Sequence, residues 1–176
     1  MSETVLVAYA TRAGSTQGVA EAIAAVLGEN GIKHDLKKLR DVRTLEGYAA
    51  VILGAPLYMF RWHADAHSFL SRQRLALAGL PVAVFVLGPF HDDEKEKQGA
   101  RDQLDKELAK YPWFKPVDIQ IFAGVFDPSK LGFPYSLLMA LPANPMSKMP
   151  PSDARNWPEI RAWAASIAAQ LKEKIA

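Results

Sequence analysis

Thr11, Gly14, Ser15 and Thr16 stand close together, directly after the apolar run Val5-Leu6-Val7-Ala8-Tyr9. Directly after them, Val19, Ala22, Ile23, Val26 and Leu27 recur at helical spacing. Hydroxyls and a glycine at a strand-to-helix junction suit a phosphate. The first turn of a helix leaves backbone N–H groups without partners and carries positive partial charge; hydroxyls add donors, and glycine lets backbone and ligand approach closely. The chemistry expected is anion binding. The alternative is an ordinary helix start, with Ser15 or Thr16 as its N-cap.

The spacing excludes two nucleotide loops. No Gly-Lys-[Ser/Thr] ending is present, as the mononucleotide loop of nucleoside-triphosphate enzymes requires, and no G-x-G-x-x-G follows a strand. Two further loops are rich in apolar and aromatic residues: Pro56-Leu57-Tyr58-Met59-Phe60-Arg61-Trp62 and Gly88-Pro89-Phe90-His91. They could flank a flat, largely apolar ring with a polar edge. His63 and His91 are the imidazoles expected nearby, each a candidate to relay protons. His63 and His67 stand four apart, but the Glu of H-E-x-x-H is missing, and no metal site is expected.

These loops need a scaffold. After the first helix, residues 32–39 read as a charged edge strand, and residues 48–55 and 81–88 as near-continuous apolar runs of strands buried on both faces. Helices are expected over about 63–78 and 94–110, a fifth strand over 117–124, and a last helix with Trp157, Ile160, Trp163, Ala164, Ile167 and Leu171 on one face. Strand and helix alternate, which predicts a parallel sheet with ligands at the carboxyl ends of its strands. The phosphoacceptor receiver domain shares this topology. It requires acidic residues after the first strand and at the end of the third, where this chain has Ala10-Thr11 and Gly54-Ala55.

Thr11-Arg12-Ala13-Gly14-Ser15-Thr16 resembles the FMN phosphate loop of flavodoxins. Tyr9-Ala10, Arg12 and the late Asn156-Trp157 are similar to one branch, the flavodoxin-type protoporphyrinogen oxidases that pass electrons to quinones; Tyr58-Met59 departs from that branch's Arg-Tyr. The resemblance implies a single α/β domain: a flavodoxin-like doubly wound five-stranded parallel sheet, order 2-1-3-4-5, with a long insertion before the last helix. It implies FMN held by Thr11, Arg12, Ala13, Gly14, Ser15 and Thr16, by Pro56, Leu57, Tyr58, Met59 and Phe60, and by Gly88, Pro89, Phe90 and His91. The activity implied is transfer of two electrons from a reduced organic donor, protoporphyrinogen IX being the branch's own, to a quinone. The alternative is an FMN electron-transfer protein without substrate chemistry.

Composition bounds the rest. At 176 residues, 49% hydrophobic and 23% charged, the chain suits one globular domain. It has no cysteine, which excludes thiolate chemistry and disulfides and fits a cytoplasmic protein. No signal peptide and no apolar run of membrane-spanning length is seen. The net charge of +2 is too small and scattered for nucleic acid, and a pI near 8.8 departs from the acidic electron carriers. Residues 127–151 hold an apolar island, 133–141, between Lys130 and Lys148. The expectation is a flap that covers the ring or meets a lipid-soluble electron acceptor, with peripheral contact at the inner face of a membrane; the alternative is a segment packed on its own domain or a homodimer contact.

Overall fold

The computed structural model describes residues 4–175. Five parallel strands form its centre: β1 (Val5–Tyr9), β2 (His34–Lys38), β3 (Ala50–Tyr58), β5 (Val82–Leu87) and β6 (Asp118–Phe122), in the order β2-β1-β3-β5-β6. The short β4 (Arg61–Trp62) folds back antiparallel on β3. Counting only the parallel strands, the order is the expected one, and β2 is the edge.

Side chains alternate across a strand, so a strand covered on both faces must be apolar throughout. Val5, Val7 and Tyr9 pack with α1 (Ser15–Glu29) and α6 (Trp157–Ile175) on one face. Leu6 and Ala8 face the opposite layer, built from α2 (Ala64–Arg72), α3 (Arg74–Leu77) and α4 (Glu94–Leu108). Gly54 is required where it is: a Cβ there would meet the Phe85 ring at 1.9 Å.

Three expectations change. The helix expected over 63–78 breaks at Gln73. There Arg72 donates to the carbonyls of Leu39 and Val42, and Gln73 donates to that of Arg43, so consecutive polar side chains turn toward one segment. Trp157 is off the buried face of α6 and lies under the Arg155 guanidinium, 4.7 Å away. The connection before α6 is bracketed by an antiparallel pair, β7 (Val125–Phe126) with β8 (Ser152–Asp153), and carries a short helix, α5 (Tyr135–Met139).

Candidate functional site

The loop after β1 reaches α1 through Gly14, whose φ of +91° is a left-handed conformation that glycine adopts freely. Gly14 is itself the N-cap position, and no side chain caps the helix, so neither Ser15 nor Thr16 does so. The Thr11 hydroxyl instead accepts the Gly14 N–H at 2.8 Å, and the first intrahelical bond runs from Gly18 N–H to the Gly14 carbonyl. The N–H groups of Ser15, Thr16 and Gln17 are left at an open helix start, with no acidic side chain in the first turn. The Thr16 Oγ1 is buried and has no hydrogen-bond partner. A buried hydroxyl without a partner is unfavourable by about 1–3 kcal/mol. Thr16 therefore fits a loop awaiting an acceptor.

Arg12 projects from the loop onto two rings, 4.8 Å from the centre of Tyr58 and 4.6 Å from that of Tyr135. The two tyrosines meet edge to face at 4.7 Å. Burial pushes the Tyr58 phenol above its ordinary value, outweighing the opposing pull of Arg12, so it stays protonated at neutral pH. Beyond Tyr58 the chain turns sharply. Met59 and Phe60 have φ of 49° and 63°, the double left-handed conformation of a tight hairpin turn, and β4 returns along β3. Such values in side chains of this size store strain, which persists where the surroundings hold it. The turn leaves Phe60 76% exposed. Trp62, expected beside the ring site, is instead buried in the core against His67.

The loop after β5 is held from behind. Glu96 accepts the N–H groups of Phe90 and His91, both at 3.1 Å, and its other oxygen lies 2.7 Å from His91 Nδ1. Lys97 is buried between Asp92 and Glu159, at 2.6 and 3.0 Å, tying this loop to α6.

Two adjoining cavities open between these loops. The first, of about 300 Å³, is lined by Arg12, Ala13, Gly14, Ser15, Pro56, Leu57, Tyr58, Gly88 and Phe90. The second, of about 370 Å³, shares Leu57, Tyr58, Gly88 and Phe90 and adds Met59, Phe60 and Pro89, with Met146 of the insertion. Thr11, Thr16 and His91 line neither; Thr11 braces the loop and Thr16 is buried in the first turn of α1. His91 is exposed and faces Glu96. His63 caps α2, its Nδ1 accepting the Asp65 N–H at 3.1 Å, so that nitrogen is engaged away from both cavities. His67 turns its ring nitrogens to Tyr111 and Glu107.

No sequence motif announces the residues that β7 and β8 bring to the first cavity: Gly124 to Asp127, Lys130 and Arg155. The Gly124 carbonyl accepts the Ala154 N–H, and its own N–H reaches the Pro89 carbonyl. Those pairings draw the neck of the insertion to the site. Only the nearness of Arg155 to Asn156-Trp157 could have pointed to it.

A sheet switch point with an uncapped helix start, an orphaned hydroxyl and an adjoining apolar cavity defines a nucleotide-phosphate-binding α/β protein. The family model described as the flavodoxin domain matches residues 6–152, and the chain belongs to that family. Its cofactor is FMN, whose phosphate suits the open start of α1 and whose ring suits the apolar walls. The structure is similar to a short-chain flavodoxin associated with a non-canonical PDU bacterial microcompartment, at TM-score 0.63 and 14% identity, covering 100% of both chains. It is similar to oxidised flavodoxin 2 from Bacillus cereus, at TM-score 0.58 and 20% identity, covering 97% of this chain and 99% of that one. It also matches 37% of the rubredoxin oxygen:oxidoreductase of Desulfovibrio gigas, at TM-score 0.58 and 15% identity over 99% of this chain. No curated protein sequence matches.

Proposed function

We propose that this protein is an FMN-dependent oxidoreductase that takes two electrons from a reduced organic donor and gives them to a quinone. The observation that carries this reading is the second cavity, walled by Leu57, Met59, Phe60, Pro89, Phe90 and Met146 beside the FMN site. An apolar chamber of this size suits a small, flat, apolar partner. Bound FMN supplies the electron and hydride chemistry. The chain's part is to hold and shelter it: the start of α1 binds phosphate, Tyr58 and Phe90 wall the ring, and Tyr135 covers the loop from above. Exposed His91, paired with Glu96 of the second cavity's lining, is the group we assign to proton exchange; His63, engaged as a helix cap, is not proposed for it.

The insertion extends the reading to the acceptor's location. Phe133, 82% exposed, stands with exposed Leu137, Leu138 and Leu141 between Lys130 and Lys148. Apolar side chains flanked by lysines suit the headgroup boundary of an anionic bilayer, where a lipid-soluble quinone resides. No helix of the described residues is long and apolar enough to cross a membrane.

The test is anaerobic reduction followed by reoxidation with ubiquinone and menaquinone analogues, with protoporphyrinogen IX as the first donor tried. Reoxidation well above the rate of free FMN is expected. A rate equal to free FMN overturns the quinone assignment. A second reading, an electron-transfer protein without its own substrate, is favoured by the exposed Met59 and Phe60 at the cavity rim, where a redox protein could touch. It predicts rapid reoxidation by a protein partner and none by quinones.

A further inference from the structure

Arg155 sits on the phosphate loop although it is far away in sequence. Its Nη1 donates to the Ser15 carbonyl at 3.3 Å, while Nε and Nη2 form a bidentate pair with Asp153 at 2.9 and 2.6 Å. The guanidinium is stacked on Trp157, and its side chain is only 17% exposed. It is thus fixed on three sides. Of a guanidinium's five N–H donors, these bonds engage one each on Nε, Nη1 and Nη2, leaving one on each terminal nitrogen.

The start of α1 is shaped to admit it. A Cβ on Gly18 would lie 3.0 Å from Arg155 Nη1 and 3.7 Å from the Trp157 ring. Glycine inside a helix is less favourable than alanine by roughly 0.5–1 kcal/mol. Here that loss coincides with the place where a cation approaches the first turn. Of the other cations at the cavity, Arg12 is turned onto two tyrosine rings and Lys130 is paired with Asp127 at 3.8 Å.

We propose that Arg155 reads the phosphate charge of the cofactor and sets the preference of the site for FMN over uncharged riboflavin. This rests on FMN occupying the first cavity. Asp153 holds the guanidinium through Nε and Nη2, and Nη1 extends to Ser15, so the carboxylate orients the fork while the loop-facing edge stays open to an anion. Arg155 acts through binding, not in the redox step.

The experiment is titration of the apo-protein with FMN and with riboflavin, read by flavin fluorescence. Arg155→Gln should weaken FMN by roughly 10–100-fold, the scale of a charge-assisted hydrogen bond, and change riboflavin by about 2-fold or less. The wild-type protein should lose FMN affinity as pH falls through about 6, where the phosphate monoester dianion takes up a proton and becomes a monoanion, and Arg155→Gln should lose much less. Arg155→Lys keeps the charge without the fork; it should fall between the two and serves if the glutamine variant does not fold. An FMN-to-riboflavin ratio at the wild-type value in both variants, or equal loss of both flavins, overturns the proposal. Wild-type protein that binds neither flavin would instead overturn the cofactor assignment.

Discussion

The Arg12 guanidinium lies 4.6 Å from the centre of the Tyr135 ring, which joins the loop before α1 to the insertion. Tyr58 completes the cluster. An exposed cation–π contact contributes about 0.5–1 kcal/mol and an aromatic pair about 0.5–1.5 kcal/mol. Tyr135→Ala should therefore raise the FMN dissociation rate about tenfold and speed proteolysis within 127–151. Stopped-flow exchange and timed digestion measure both. Unchanged values would show that the insertion is not fastened at this point.

Thr16→Val should move two observables in opposite directions. Removing a buried hydroxyl that lacks a partner stabilises the apo-protein by about 1 kcal/mol, while the lost donor weakens FMN by roughly tenfold. Thermal melts with and without FMN test it. A lower apo melting temperature would show that the hydroxyl already has a partner.

Gly14→Val tests backbone shape at the cavity wall, because in the free protein no atom lies within 4 Å of the added Cβ. The φ of +91° is strained for a β-branched residue by on the order of 2 kcal/mol. The variant should fold and be purified without flavin, as absorbance near 450 nm would report. Full retention of FMN would remove the turn from the binding site.

His63 gives a pH signature. Burial, reinforced by Arg12 and Arg40 and opposed by Asp65, lowers its pKa below the ordinary 6.5. The unfolded chain then takes up the proton first, so the cap contributes fully above about 6.5 and is lost as pH falls through the folded value. His63→Asn keeps an acceptor that does not titrate. It should flatten the loss of stability below pH 6.5, measured by urea unfolding; the same slope as wild type would place the titration elsewhere.

For the insertion, sedimentation with vesicles should show binding to anionic but not neutral bilayers, weakened at least about tenfold by paired Leu137→Asp and Leu141→Asp. Dimerisation abolished by the same pair, with no vesicle binding by wild type, would make the face a contact between copies.

The scaffold was legible because burial on both faces forces uninterrupted apolar strands, as in Val82 to Leu87, and helices reveal their inner face by spacing, as in Ile160, Trp163 and Ile167. The turn from β1 into α1 was legible for the same local reason. What escaped was set by tertiary pairing. The Met59-Phe60 turn carries no glycine or asparagine to betray its positive φ, Gln73 breaks a helix to reach a distant carbonyl, and Arg155 meets Ser15 across 140 positions. The apolar character of the loop holding Met59 and Phe60 is legible in the sequence; its strained geometry is not.

The pairing of Val125-Phe126 with Ser152-Asp153 means that the chain departs from and rejoins the body at almost one point. Beyond that junction the insertion returns to the body at Tyr135 and Met146, and the rest of its length and sequence can drift without disturbing strand register in the central sheet. Evolution can thus refit the doorway while the strongroom stays as built, and a shortened graft closing directly at the stem should leave a folded shell that takes up flavin but releases it faster, because Tyr135 is gone.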